Sequence, residues 1–467
     1  YVGVLGCTIR VQSGAKGDQE ERLIPVLTNQ TLVTDTYPFY MDPNTDKTIE
    51  VDALKRIFER PELQLIGYQM DWTADPAWLV LPALAYVQGQ RHLTAADWAE
   101  SAYSWILGES IVANPLIRQE IANWPVETLK SPLEGQDEVK AVLLRETPWV
   151  LDASSETWQM QQIKGFLEPN TVAYQKVHSL EQLRSLQNGD GGFTWCPQGN
   201  SDVWMTIYVM DILSRLHSEL DWHPADTDWI GEALAYIDRQ MERNIQLDPD
   251  RKHITSLDVK ALSVLTRWSD VRTVPDSKWI QFALKVLPEQ WIDLPLQLQA
   301  YAGELLRKDH PDVSKTILES LLERSIVHPE LGRYWKGQPG YSWEHAPIAT
   351  QAAIIQFMRT MQVDESVIRS GIQWLLKNKQ TNHWDSGSDT YVAIQAIWTG
   401  TRSLPVSSVP LAIRVGNWTA PAVIRGEKRW DPTDIGKDMQ TVTVTNKGGQ
   451  IAWGGIYVQS LQPLSAV

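Results

Sequence analysis

The sequence predicts a mainly α protein in which an α/α toroid is inserted into an antiparallel β-sandwich. Three patterns lead to this fold class. Strand-like runs occupy both ends of the chain, apolar residues recur three and four positions apart between them, and helix–loop–helix units repeat within the central part. The length of 467 residues favours about two or three domains.

The first β block covers residues 1–73. Its apolar or β-branched runs are separated by Gly, Asp, Asn and Pro, a pattern typical of strands, and they lie at 7–11, 22–27, 48–51 and 63–68. A sheet this short would leave open edges and a half-covered apolar face. We therefore expect its strands to need partners from elsewhere in the chain.

The central segment, residues 74–404, predicts roughly a dozen helices, with a clear helical period over 203–216. Helix–loop–helix units occur at 183–195 before a helix from about residue 202, at 374–384 before a helix from about 386, and more loosely at 334–343 before a helix over 347–358. In each unit Gly or Asn ends one helix, an aromatic residue fills the loop, and Asp, Ser or Pro begins the next helix. Stacked helical hairpins of this kind predict a closed toroid.

The last β block covers residues 405–467. Residues alternate at period two over 411–415, 440–445 and 452–458, and 446–449 read as a hairpin-type connection. Together with the first block these strands suffice for a sandwich. An inserted domain must leave and re-enter its host at neighbouring points, and a closed ring of helices meets that condition.

Composition argues against a nucleic-acid partner. The chain has 42 Lys and Arg against 57 Asp and Glu, giving a net charge of −15, and its basic residues form no cluster. It contains no apolar run long enough for a membrane span and no charged start of a signal peptide. We expect the chain to be part of a longer protein.

The sequence also lacks the common zinc-protease, phosphate-loop, dinucleotide-binding, EF-hand and nucleophile-elbow motifs. Cys7 and Cys196 are the two cysteines of the chain, which excludes a disulfide scaffold, and we expect two free, partly buried thiols. The nine histidines form no pair spaced to chelate a metal. We therefore expect neither a metal site nor a cofactor.

Some polar residues near aromatic loops remain as candidates: His253, Asp258, Glu344, His345, His383, Asp385 and Asp389. Paired acids such as Asp385 and Asp389 could act as general acid and base on a sugar, but their position at a helix start favours capping.

The 22 tryptophans could stack against sugars or prenyl groups. Many lie at loops or helix ends, which favours filling of helix junctions, as at Trp195, Trp335, Trp343 and Trp384.

Four segments occur in a recognisable order: 75–86 (DPAWLVLPALAY), 131–134 (SPLE) with 143–150 (LLRETPWV), 186–195 (LQNGDGGFTW) and 451–457 (IAWGGIY). Together they resemble the region of bacterial alpha-2-macroglobulins in which a thioester domain is inserted into a CUB-type β-sandwich. The resemblance covers nearly the whole chain. It implies that the toroid is thioester-domain-like and the sandwich CUB-like.

The resemblance also implies a site. Active relatives carry a Cys-x-Glu-Gln motif in which the thiol is joined to the Gln side chain. When the downstream aromatic is placed on Tyr103, this motif falls on Trp98, Ala99, Glu100 and Ser101. Trp98 replaces the Cys and Ser101 replaces the Gln, so this position is a degenerate thioester site without the chemistry of covalent capture. We expect the Trp98 indole to plug the pocket, and Glu100 and Ser101 to be helix-start or rim residues.

The function implied is that of a non-catalytic fragment of a bacterial alpha-2-macroglobulin-like protein, engaged in protease trapping or envelope defence without a covalent thioester. The partners implied are proteases, bound through the full-length parent. The location implied is the periplasm, the extracellular space or the cell envelope, with membrane contact only through an N-terminal anchor of the parent.

Two alternatives stay open. One is an α/α-toroid enzyme of the glycosidase, lyase or terpene-cyclase kind, although the acidic D-x-D-D string of cyclases is absent and the flanking β blocks are unexplained. The other is a structural module whose toroid face binds a protein.

Overall fold

The computed structural model of the chain combines helices with antiparallel sheets. It describes residues 3–14, 16–26, 30–42, 44–73, 77–89, 93–122, 163–220, 222–224, 227–271, 273–329, 331–337, 346–380, 383–401, 409–423, 425–448 and 452–463. The described residues divide into two compact units: a β unit from 1–74 and 406–467, and a helical unit from 75–123 and 162–405. No described helix is both long enough and apolar enough to cross a membrane.

Strands are numbered along the whole chain. Those of the β unit are β1 (Gly3–Ser13), β2 (Lys16–Val26), β3 (Gln30–Met41), β4 (Thr45–Glu50), β5 (Gln64–Thr73), β8 (Ala412–Val415), β9 (Trp418–Thr419), β10 (Arg425–Trp430), β11 (Thr441–Asn446) and β12 (Ala452–Pro463). The unit also holds one α-helix among its described residues, α1 (Asp52–Glu59). β6 (Ile326–His328) and β7 (Gly332–Tyr334) form a short hairpin in the helical unit.

Strands from the two ends of the chain pair in two four-stranded antiparallel sheets, in the orders β10-β5-β12-β3 and β4-β11-β8-β9. Alternate side chains of both sheets enter one hydrophobic core, including Phe39, Trp72, Ile413, Val442 and Val458. Neither end of the chain supplies this core alone, in agreement with the partner strands expected for the first block. β1 and β2 form a separate two-stranded hairpin.

The helical unit contains the remaining described helices. They are α2 (Ala77–Gly89), α3 (Ala95–Val112), α4 (Pro115–Ala122), α5 (Pro169–Ser185), α6 (Val203–Leu220), α7 (Asp228–Leu247), α8 (Ser256–Arg267), α9 (Lys278–Gln290), α10 (Leu296–Leu306), α11 (Pro311–Glu323), α12 (Pro347–Thr360), α13 (Glu365–Lys377) and α14 (Gly387–Thr401).

Seven of these helices contact one another in a closed circuit that runs α2, α3, α6, α8, α10, α12, α14 and back to α2. Other helices pack on the circuit, with α5 on α3, α7 on α6, α11 on α10 and α13 on α12. Burial follows this division: residues 350–358 of α12 are all buried, whereas α13 buries the single stripe of Ile368, Ile372, Leu375 and Leu376. A helix buried on all sides requires neighbours all round it, which the circuit supplies.

The sequence patterns located several elements and missed others. The helices expected from about residues 202 and 386 are α6 and α14, and the one expected over 347–358 is α12. The helix α1, the strands β3 and β10 and the β6–β7 hairpin were not among the predicted elements. The segments 131–134 and 143–150 lie outside the described residues.

Candidate functional site

The predicted site lies in the second turn of α3, whose start is fixed by a capping box. The Thr94 hydroxyl accepts a hydrogen bond from the backbone N–H of Asp97 at 3.2 Å, and the Asp97 carboxylate accepts one from the backbone N–H of Thr94 at 2.8 Å. These bonds satisfy amide groups that a helix start would otherwise leave without partners. The cap fixes the start of α3, so residues 98–101 fall in its second turn.

The structure corrects one expectation for residues 98–101. Glu100 is only 4% exposed and Ser101 only 2% exposed, so neither is a rim residue. Trp98 is partly buried, with its ring edge-on to His178 of α5 at 5.5 Å between centroids. Ala99 is fully buried. Three of the four predicted residues therefore belong to the interior of the helical unit.

Trp98 and Ser101 both contact α5. The Ser101 and Ser179 hydroxyl oxygens are 3.1 Å apart, and His178, which Trp98 touches, is the residue before Ser179. A tryptophan ring and a serine hydroxyl supply neither the thiolate nor the carboxamide that a thioester requires. Their observed contacts are those of helix packing.

Glu100 occupies a more unusual environment. Its Oε1 accepts hydrogen bonds from the Tyr208 hydroxyl of α6 at 2.8 Å and from the Ser388 hydroxyl of α14 at 2.7 Å. Burial raises the pKa of Glu100 to about 7, although both hydrogen bonds act in the opposite direction. Glu100 can therefore hold or release a proton near neutral pH. Its carboxyl group joins α3, α6 and α14, three helices of the circuit.

No sequence signal pointed to Tyr208 and Ser388. They lie 108 and 288 positions beyond Glu100, and only the packing of three helices brings them to its carboxyl group. Their residue types are common in helices, so neither stands out without the fold.

The two cysteines are free thiols, as expected. Cys7 has intermediate exposure, but Cys196 is exposed, so the expectation of partial burial is wrong for Cys196. Cys196 follows the 186–195 turn, where the backbone has left the helix and the side chain meets solvent.

Two of the acidic candidates, Asp389 and Asp258, take part in capping at helix starts. The Asp389 carboxylate accepts a hydrogen bond from the Ser386 hydroxyl at 2.7 Å, and the Ser386 hydroxyl accepts one from the Asp389 backbone N–H at 3.0 Å. Asp258 forms a capping box with Thr255 at the start of α8 and an ion pair with Arg251 at 3.0 Å. Asp385 is exposed. Capping, the favoured interpretation for Asp389, agrees with these contacts.

The described histidine candidates, His253 and His383, are not among the hydrogen-bond partners of Glu100. His383 stacks on Tyr86 at 3.8 Å between ring centroids, and burial lowers the pKa of its imidazole. His253 is exposed. Glu344 and His345 lie outside the described residues. Among the residues that the structure describes, no three His, Cys, Asp or Glu side chains form a group suited to a metal ion.

The tryptophans show two kinds of environment. Trp335 and Trp384 are buried and donate their indole N–H to the carbonyl oxygens of Leu321 and Leu375, as expected for residues that fill helix junctions. Trp195 differs, since it is 41% exposed and stacks on Trp204. Trp343 lies outside the described residues.

No protein-family model matches the chain, and no curated protein sequence is significantly similar to it. Comparison with solved structures finds bacterial alpha-2-macroglobulins at low similarity. The native Escherichia coli protein from domain MG7 to the C-terminus shares 14% identity and a TM-score of 0.45, over 99% of this chain and 63% of that one.

Two further structures show the same level of similarity. The Salmonella protein reacted with methylamine has 13% identity and a TM-score of 0.46, over 97% of this chain and 25% of that one. The Escherichia coli protein activated by porcine elastase has 13% identity and a TM-score of 0.44, over 96% and 34%. The chain thus spans less than two thirds of the length of each of these structures.

Proposed function

We propose that this chain is a non-catalytic module of a bacterial alpha-2-macroglobulin-like protein, which takes part in protease trapping or envelope defence without covalent thioester capture. The single observation that carries the proposal is the content of residues 98–101. The segment stands where the resemblance places the reactive motif, and it holds Trp98 and Ser101 in place of the thiol and the carboxamide.

The surroundings of this segment support the loss of covalent chemistry. Ser101 is buried against Ser179, and Glu100 is held by Tyr208 and Ser388. Cys196 cannot replace the missing thiol at position 98, because it lies in the loop between α5 and α6. Residues 98–101 then serve to pack α3 against its neighbours.

The fold assignments belong to the same proposal. The closed helix circuit supports a thioester-domain-like toroid over residues 74–404. The two sheets built from both ends of the chain support a CUB-like sandwich over 1–73 and 405–467. In this assignment the toroid is a domain inserted into the sandwich.

Partners and location follow from the sequence resemblance. Proteases would be bound by the full-length parent, and the module would act in the periplasm, the extracellular space or the cell envelope. It would not act as an enzyme, and it would need no cofactor.

Methylamine tests the central point, because it opens a thioester, adds to the acyl group and releases a thiol. Mass spectrometry of the treated chain should find no adduct, and thiol titration of the denatured, unreduced protein should find both cysteines before and after treatment. The Salmonella protein that reacts with methylamine is the positive control. An adduct on any Glu or Gln would contradict the proposed loss of covalent capture.

A second experiment tests the trapping function in the parent protein. Porcine elastase, which activates the Escherichia coli protein, is a suitable protease. After cleavage of the parent, we expect native-gel mobility to change and the protease to co-migrate without a covalent link. Free protease that separates completely on the gel would argue against trapping.

A further inference from the structure

A cavity of about 310 Å³ lies within the helical unit, and its wall includes Tyr208 and Ser388, the two residues that donate hydrogen bonds to Glu100. It is lined from α6, α8, α10, α12 and α14, with Trp204, Tyr208, Gln297, Tyr301, Asp389 and Tyr391 among its wall residues. Ser386, also in the wall, is exposed, so the cavity reaches the protein surface. Its volume lies at the lower end of the range of small-molecule sites, about 300–1,000 Å³.

Two buried polar groups of the wall have no hydrogen-bond partner within the described part of the protein. They are Gln297 Oε1 and the Tyr391 hydroxyl, on side chains that are 8% and 2% exposed. Burial raises the pKa of Tyr391 well above its usual range, so this hydroxyl stays a neutral donor. A buried polar group without a partner costs about 1–3 kcal/mol, and such groups call for a ligand or water. The cavity thus offers one acceptor and one donor to an incoming molecule.

The wall also carries aromatic side chains, Trp204, Tyr208, Tyr301 and Tyr391. Trp204 stacks on Tyr208 at 5.3 Å between centroids with an interplanar angle of 8°, and Trp195 stacks on Trp204 at 5.6 Å and 6°. Ile207 and Val264 extend the apolar part of the wall. The wall therefore combines aromatic and aliphatic surface with its polar groups.

The charges of the wall favour a neutral ligand. Asp211 forms ion pairs with Arg215 and Arg267. Burial acts to raise the pKa of Asp211, but the two guanidinium groups outweigh this effect and hold the pKa below its ordinary value. Asp211 is therefore a carboxylate whose negative charge is balanced by the two arginines. The Lys260 ammonium lies over the Trp204 ring at 5.4 Å, and Asp389 supplies the opposite charge. Neither sign dominates, which disfavours both a phosphate-like anion and a simple cation.

We propose that this cavity binds a neutral mono- or disaccharide. A pyranose ring presents an apolar C–H face that packs on an aromatic surface, and its hydroxyl groups both donate and accept hydrogen bonds. Gln297 Oε1 would accept from one hydroxyl, and the Tyr391 hydroxyl would donate to another. This inference is independent of protease trapping and adds a second binding property to the module.

The test uses the full chain and a panel of D-glucose, N-acetyl-D-glucosamine, maltose and cellobiose. Saturation-transfer NMR detects binding, and calorimetry gives the Kd. We expect at least one sugar to bind saturably. Tyr391→Phe and Gln297→Leu should each weaken that binding roughly tenfold, because each removes one hydrogen bond to a buried polar group.

Tyr174→Phe is the matched control, since this tyrosine is 64% exposed and is not a wall residue; its Kd should equal that of the unaltered chain. Tyr391→Phe should not lower the melting temperature, because it removes a hydroxyl that has no protein partner in the described structure. The proposal is overturned if no sugar of the panel binds with a Kd below ~10 mM. It is equally overturned if a sugar binds and both cavity variants leave its Kd unchanged.

Discussion

Glu100 shows how burial sets the properties of one residue. Its carboxyl group is removed from water and receives two hydroxyl hydrogen bonds, which cannot fully offset the lost hydration of the charged form. The pKa of about 7 lies above the ordinary value of 4.5, so the folded protein binds this proton more tightly than the unfolded chain does. Folding stability is therefore linked to pH at this residue.

Glu100→Gln should change that pH dependence. Below pH 4.5 the folded and the unfolded states both hold the proton, so ionisation of Glu100 does not lower the free energy of unfolding. Between pH 4.5 and 7 the unfolded chain releases the proton first, and the free energy of unfolding falls. Above pH 7 this loss of unfolding free energy is complete, at most about 3 kcal/mol. Urea denaturation should show Glu100→Gln more stable than the unaltered chain at pH 8 and equally stable at pH 4. Glu181→Gln, at an exposed position of α5, should show no such gain; an equal gain at both pH values would contradict the titration of Glu100.

Trp98 should contribute less to stability than a fully buried tryptophan. The indole is partly buried and touches His178, whereas Trp268 is fully buried and donates to the Met210 carbonyl oxygen at 3.2 Å. Truncating a fully buried Trp costs about 3–5 kcal/mol. We expect Trp98→Ala to cost less than Trp268→Ala in urea denaturation. Equal losses would mean that Trp98 is as deeply packed as the plug expected from the sequence.

At the scale of elements, α3 depends on its cap. The Thr94 hydroxyl is the acceptor for the Asp97 amide, and the helix it starts carries Glu100 into contact with α6 and α14. Thr94→Ala should lower the free energy of unfolding by about 1 kcal/mol, whereas Thr94→Ser keeps the acceptor and most of the stability. Thermal unfolding of the two variants side by side measures the difference. If both variants lose the same amount, the hydroxyl is not the stabilising group.

Local signals decided which elements could be predicted. The start of α6 was visible because Asp202 caps it, with its carboxylate accepting from the Met205 amide at 2.8 Å, and the start of α12 because Pro347 has the fixed backbone angle of a first helical turn. β3 gave no such signal, since a Pro and several polar residues obscure its alternation, and its pairing with β12 is settled more than 400 positions away. The candidate site shows the same division. Residues 98–101 could be located from the sequence, but the burial of Glu100 could not be predicted because it depends on helices distant in the chain.

At the scale of the whole molecule, β12 connects the two ends of the chain. It lies between β3 and β5 in the sheet, so a strand from the C-terminal end is hydrogen-bonded on both sides to strands from the N-terminal end. Gly454 of β12 stands opposite Phe39 of β3 and Trp72 of β5. A side chain at this position would enter a close-packed core, where added volume is not tolerated without backbone movement.

Gly454→Ala therefore tests whether the two sheets form one cooperative unit. The added Cβ would lie 2.5 Å from the Asp71 carbonyl oxygen and closer still to the Phe39 ring, a cost of ~1–3 kcal/mol or more. Hydrogen exchange followed by mass spectrometry should lose protection in β3 and β5 as well as in β8 and β11, because their side chains share one core. Gly231→Ala in α7 is the control, since its added Cβ meets no atom within 4 Å and should leave the exchange of these strands unchanged. Loss of protection confined to β12 and its immediate partners would mean that the two sheets open separately and that the β unit does not unfold as one cooperative unit.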